Sequence, residues 1–227
     1  RKMAAKIVEQ YKIEADNVKI DILIKGGEGI IKTYNLVIPE PKAGTLALLD
    51  EIKDELIVEV QVTGKEILDP TVINKLKERF GKIANRILQN KLPYISPETK
   101  SLLANKLVRD MLGLGELEFL LNDAWIEEIV INSAKEPVRI YHKKYGWLET
   151  NITIESEAQI LNYSNIIARR VGRQITTLNP LLDAHLVTGD RANAVLYPIS
   201  SKGNTITIRK FARDPWTVTD FIENQTV

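Results

Sequence analysis

Arg191 and Arg209 are the residues whose type and spacing most directly suggest chemistry. In residues 191–196, Ala192, Ala194 and Leu196 alternate with Arg191, Asn193 and Val195; in residues 204–210, Ile206 and Ile208 alternate with Thr205, Thr207 and Arg209. Successive side chains of a strand point to opposite faces. The two segments therefore read as a hairpin with both arginines on one face, nearly opposite each other if the turn is centred near Ser200. Like charges directly across an antiparallel pair destabilise it. A guanidinium pair kept in such a place suits an anion, because the planar fork donates to two phosphate oxygens at once. The alternative is two solvated arginines at strand ends.

Other chemistries find little support. The chain has no cysteine, which removes disulfides, thiol nucleophiles and thiolate metal sites. Its two histidines, His142 and His185, lie in unrelated contexts without a serine or carboxylate pattern around them, and no metal site is expected. Glu127 and Glu128 would point to opposite faces of a strand. Nowhere does G-x-x-x-x-G-K-[ST] occur, so no backbone nest for a β-phosphate and no hydroxyl for magnesium are present. Gly26, Gly27 and Gly29 share only composition with a phosphate loop and read as a hairpin turn.

With 227 residues, 44% hydrophobic and 27% charged, the composition is that of a globular chain of one large or two small domains. The net charge of +1 argues against a surface committed to nucleic acid. No run of 18 apolar residues and no signal core is present. After Arg1-Lys2-Met3 the first residues read as charged and helix-like, and the chain has the look of a piece of something longer.

The elements follow from periodicity. Residues 18–24 alternate at period two and pair with a second strand at 30–37. A helix opens at Gly44-Thr45 with Leu46, Leu49, Ile52 and Leu56 on its apolar face, and Val58, Val60 and Val62 could continue as a short strand. Residues 70–122 are expected to be helical, starting at Asp69-Pro70 with Ile73, Leu76, Phe80, Ile83 and Ile87 inward. Lys75, Lys77, Arg79, Lys82, Arg86 and Lys91 form the opposite, basic side, either a solvated face or a surface for anionic lipid or nucleic acid. Ser96-Pro97 caps the next helix, with Leu103, Leu107 and Met111 inward. Strands are expected around 126–131, 138–141 and 148–154. Ser156 with Gln159 makes a capping box for a helix that Gly172 ends. The strands at 191–197 and 204–210 close the series.

Six stretches also resemble, in order and spacing, the N-terminal region of the type II/type IV secretion, pilus and archaellum motor ATPases. They are Gly113-Leu114-Gly115-Glu116-Leu117-Glu118, Ile126-Glu127-Glu128-Ile129 with Ile131-Asn132, and Ala168-Arg169-Arg170 with Gly172-Arg173. Leu182-Asp183-Ala184, Gly189-Asp190-Arg191-Ala192-Asn193-Ala194 and Thr207-Ile208-Arg209-Lys210-Phe211 complete them. Tyr11, and Tyr34 to Pro41, resemble the leader region of archaeal members. Val187-Thr188 departs from the family's Pro-Asp.

The resemblance implies an α+β fold: a small N-terminal α/β subdomain (1–66), a helical subdomain (67–122), a PAS-like antiparallel sheet domain with a helix (123–213), and a linker (214–227) to a C-terminal RecA-like motor domain outside this chain. It implies a cytoplasmic homo-hexamer, peripheral at the membrane, served by an inner-membrane platform protein, with no nucleic-acid partner. ATP and Mg2+ would belong to the full-length protein, and this portion alone would hold none and would not hydrolyse ATP. By motif match, Arg191 and Arg209 reach the nucleotide phosphates. Arg173 matches a further family arginine, although a salt bridge or helix cap suits it equally. The competing class is a free-standing PAS-like or basic-helix module binding nucleic acid or an anionic membrane surface through Lys75, Lys82 and Arg86.

Overall fold

The computed structural model describes residues 6–15, 18–27, 30–38, 43–60, 72–186 and 188–211. The architecture is mixed α+β. Its strands are β1 (Lys6–Ala15), β2 (Val18–Gly27), β3 (Ile30–Val37), β4 (Ile126–Ile131), β5 (Pro137–His142), β6 (Gly146–Thr153), β7 (Leu181–His185), β8 (Arg191–Val195) and β9 (Thr205–Arg209). They form one nine-stranded sheet in the order β1-β2-β3-β6-β5-β4-β9-β8-β7. Every neighbouring pair is antiparallel except β3 and β6.

The described helices are α1 (Ala43–Val60), α2 (Ile73–Lys91), α3 (Pro97–Leu112), α4 (Leu117–Asn122) and α5 (Glu157–Arg170). Leu49, Ile52, Leu56 and Val60 of α1 pack with Leu76, Phe80, Ala84, Ile87 and Leu88 of α2 and Leu103, Ala104 and Leu107 of α3 in one core. A larger core lies between the inward face of the sheet and α4 and α5. Packing thus groups α1 with the helices after it and β1–β3 with the sheet. The divisions at 66 and 122 describe order along the chain, whereas the cores describe contact.

Ser96 accepts the Thr99 N–H at 3.2 Å to start α3, and Ser156 does the same for Gln159 at the start of α5. Gly172, at φ +66°, ends α5, with the Arg173 N–H returning to the Ala168 carbonyl at 2.8 Å. Positive φ is what glycine supplies there without strain.

Several expectations are corrected. The helix-like start at 6–15 is strand β1, in which Ile13 and Ala15 face inward and Glu14 outward. Val58 and Val60 do not begin a strand, because the apolar spacing of α1 runs on to Val60 and packing outweighs β-branched propensity. Strand β7 is an addition: Leu182 and Ala184 are buried while Asp183 and His185 face out. Leu46 proves exposed. Val62, the glycine turn at 28–29 and the Asp69-Pro70 start lie outside the described residues, and α2 begins at Ile73 after Val72 without a side-chain cap.

Part of the basic side of α2 meets α1, while Lys75 stays exposed. Arg86 pairs with Glu59, Lys91 reaches Glu55 at 3.3 Å, and the Arg79 guanidinium donates to the Val60 carbonyl at 3.1 Å. Cations are favoured at a helix C-terminus, where carbonyls lack intrahelical partners.

The parallel seam between β3 and β6 spans only two residue pairs, Thr33 with Glu149 and Tyr34 with Thr150. Side chains strengthen it. The Asn151 amide accepts the Leu36 N–H at 2.8 Å and donates to the Leu36 carbonyl at 2.9 Å, acting as one more rung. The buried Asp123 carboxylate accepts hydroxyl protons from Tyr11 of β1 at 2.6 Å and Tyr34 of β3 at 2.7 Å, and the Trp125 N–H at 2.9 Å. Burial, reinforced by that carboxylate, pushes both phenols above their ordinary range.

His142 completes this knot. Its Nδ1 accepts the Lys144 N–H at 3.1 Å, so its Nε2 carries the proton toward the Tyr11 hydroxyl at 3.4 Å. Burial holds the imidazole below its ordinary value of 6.5, against the opposing pull of Asp123 and Glu9, with Lys144 reinforcing the shift. The unfolded chain takes up this proton near pH 6.5 while the folded chain resists it. The stabilisation is therefore complete above about pH 6.5 and is lost as pH falls through the lower folded value. Thermal unfolding should shift downward between pH 7.5 and 5.5 by about 2–4 °C per kcal/mol lost. His142→Gln should flatten that slope; an unchanged slope in the variant would remove His142 as its source.

Candidate anion site

Arg191 and Arg209 are direct cross-strand partners, the register that a turn centred at residue 200 requires. Both lie on the open face of the sheet, each at least half exposed. The flanking strands continue the row. His185 of β7 stands opposite Arg191, Glu128 of β4 opposite Arg209, Tyr141 of β5 opposite Glu128, and Trp147 of β6 opposite Tyr141.

Two carboxylates offset the repulsion between the guanidiniums. Asp183 of β7 accepts from Nε and Nη2 of Arg191 at 3.0 and 2.8 Å, a bidentate pair. Glu128 lies 3.4 Å from Nε of Arg209. The hydrogen bond from Arg191 draws the Asp183 carboxyl below its ordinary range, and the same pairing raises Arg191.

Arg173 joins the group from another direction. It follows the glycine that ends α5, and its Nη1 donates to the Asp183 carbonyl at 2.6 Å. Its backbone caps the helix while its side chain reaches the strand that holds Arg191. Thus Arg173 and Arg191 meet at Asp183, and Arg209 adjoins Arg191 in the row.

Asp190, which sequence reasoning did not select, sets the ends of both strands. Buried at the β7–β8 turn, it accepts the Thr188 hydroxyl at 2.7 Å and the Phe211 N–H at 2.8 Å. It precedes Arg191 by one residue and fastens the chain two residues beyond Arg209. Gly189 in that turn has φ +90°, and a Cβ there would approach the Phe211 ring at 3.2 Å. Thr188 of the departing Val187-Thr188 pair thus takes part in the turn, whereas Val187 lies outside the described residues. Asp183 and Asp190 both fall inside recognised stretches, but nothing in their spacing gives them roles.

His185 stands exposed at the end of the row, while His142 belongs to the seam. Among the described residues no group of three histidine, aspartate or glutamate side chains is placed to hold a metal ion. None of the described helices is long and apolar enough to cross a membrane.

No protein-family model matches the chain. It is 34% identical over 222 residues to an uncharacterized protein of Methanocaldococcus jannaschii, covering 97% of this chain and 29% of that protein. A second uncharacterized protein of the same organism is 36% identical over 147 residues, 64% of this chain and 26% of its own length. A third is 27% identical over 183 residues, covering 77% and 68% respectively. The chain spans less than a third of the first two relatives. Among solved structures there is a weak similarity to the VirB11 ATPase of the Brucella suis type IV secretion system, solved with sulphate. The identity is 23% and the TM-score 0.40, over 47% of this chain and 31% of that one.

Asp183 occupies the two donors that an incoming phosphate would take from Arg191, and its charge repels the newcomer. Asp183→Asn should leave the fold intact and tighten tripolyphosphate binding by about two- to fivefold, read by NMR titration of the arginine side chains. Weaker binding would mean that the carboxylate serves to aim Arg191 instead.

Proposed function

We propose that the chain is the non-catalytic N-terminal portion of a secretion or filament-assembly ATPase of the type II/type IV, pilus or archaellum kind. In this reading its sheet domain, PAS-like in role, closes on ATP held by a C-terminal RecA-like motor domain of a hexamer. Arg191 and Arg209 approach the phosphates, and Arg173 supports them through the Asp183 strand. The first strands and the three-helix unit are then free to meet neighbouring subunits and an inner-membrane platform protein at the cytoplasmic face.

The observation that carries the reading is the facing arginine pair. Two guanidiniums sit on adjacent strands, exposed, with their strand ends fixed by Asp190. Asp183 and Glu128 offset the repulsion within the pair, and its exposed guanidiniums suit an anion that exchanges with those carboxylates. The six ordered sequence stretches support the same reading. In the two M. jannaschii relatives that the chain covers by less than a third, most of the protein lies outside the matched region.

The residues present fit the phosphate side of a nucleotide: Arg191 and Arg209 face each other across adjacent strands, and Arg173 reaches the strand that carries Asp183. When bound, ATP would supply the phosphoryl group and the energy of its hydrolysis. The chain's own contribution is positive charge delivered from outside the phosphate loop, as arginine fingers deliver it. Because the arginines engage only when the two domains close, hydrolysis and domain movement are coupled.

In the full-length protein, Arg191→Ala and Arg209→Ala should each lower ATP turnover, by on the order of 10³-fold for a finger contact. Their thermal unfolding should match wild type, since both side chains are exposed. Unchanged turnover in both variants would reject the role.

A further inference from the structure

Tyr141 and Trp147 are large aromatic side chains left on the open face of the sheet, 37% and 53% exposed. They face each other across β5 and β6 edge to face, ring centres 5.4 Å apart. Cross-strand contact explains that edge-to-face meeting, but it leaves the remaining ring surface open. Both line a cleft of about 510 Å³ with Lys143, Glu128, Arg209 and Lys210. Trp147 also borders a second depression beside Arg139 and Glu149, so it is accessible from two sides.

The order of chemistry along the row is informative. From β6 to β8 it runs aromatic pair, carboxylate, guanidinium, guanidinium: Trp147 and Tyr141, then Glu128, then Arg209 and Arg191. At roughly 4.8 Å between strands, the aromatic pair lies two to three strands, roughly 10–14 Å, from Arg209. A nucleotide presents its parts in the same order. A base offers a π-face, a ribose offers hydroxyl donors that a carboxylate accepts, and phosphates take guanidinium donors.

We propose that this row is a nucleotide-binding strip, with a purine base on Trp147 and Tyr141, the ribose at Glu128, and the phosphates at Arg209 and Arg191. A purine is favoured because it offers the larger face for stacking. The proposal rests on the anion reading of the arginine pair and goes beyond it: the chain alone then has measurable affinity for a nucleotide, although the sequence resemblance led to the opposite expectation. A nucleic-acid strand is the less fitting occupant. Strand-binding grooves are strongly positive with successive aromatics, whereas here Lys143, Arg209 and Lys210 are offset by Glu127 and Glu128 in the same cleft.

The test is calorimetric titration of the 227-residue chain with ATP and with tripolyphosphate, alongside tryptophan fluorescence. ATP should bind in roughly the millimolar range or better, about 5- to 100-fold more tightly than tripolyphosphate, and quench the emission. Trp147→Leu should abolish that advantage and leave tripolyphosphate affinity unchanged, and Trp147→Phe should restore part of it. Equal affinities for ATP and tripolyphosphate, both reduced by Arg209→Ala, would overturn the base site and leave the anion reading standing. Absence of ATP binding at saturating concentrations would also overturn the strip, while the arginine role stays open to the full-length turnover measurement. Binding to single-stranded oligonucleotides that rises with length and falls steeply with salt would overturn it in favour of a polymer.

Discussion

The sheet runs through a two-pair parallel seam that side chains reinforce. Between β3 and β6 the backbone pairs two residues and the Asn151 amide adds a rung, while the Asp123 carboxylate ties β1 and β3 to the segment that enters β4. A buried carboxylate is tolerable when its oxygens are saturated with donors, and here two phenols and a backbone N–H do so. Removing either tyrosine would leave that charge short of a partner, so the seam behaves as a unit. The main-chain carbonyl of Asp123 in turn accepts from Lys210, the neighbour of Arg209. One residue thereby links the joint of the N-terminal strands to the end of the arginine-bearing ribbon.

What could be read from sequence divides by distance along the chain. The β8–β9 ribbon was legible in detail, because its alternation and a single short turn determine both face and register. Arg191 opposite Arg209 follows from those two facts alone. Capping residues were legible for the same reason: Ser156 and Gln159 are three residues apart. The Asp123 knot was not, since its partners lie 112 and 89 residues away and no local pattern announces them. Strand β1 reads as helix-like because its outward positions carry Gln10, Lys12 and Glu14, which suit a helix surface equally well. Strand β7 is five residues long and shows only two buried side chains, too few to establish a period.

Charge placement separates the two faces that sequence alone offered for binding. The cations of α2 face the carboxylates of Glu51, Glu55 and Glu59 and the carbonyl end of α1, so interhelix packing gives several of them an internal role. The arginines of the sheet also have carboxylate neighbours, but these pairs lie on the open face of the sheet instead of between two helices, and an exposed ion pair such as Arg191 with Asp183 is weak and readily exchanged.

Antiparallel sheets can bury one face and leave the other to water. In this chain α4 and α5 cover the inward face, and the outward face of β4, β5, β6, β8 and β9 carries its functional groups in a cross-strand row. Such a row fixes spacing by backbone hydrogen bonds instead of by loop conformation, so the groups need little reorganisation when a ligand arrives. Arg209 belongs to both features, the pair with Arg191 and the cleft with Trp147 and Tyr141. A change at Arg209 therefore perturbs both features, whereas Arg191 and Trp147 sit at opposite ends and report on them separately. The separation of these two ends on one sheet face is what lets the proposed phosphate and base contacts be tested independently.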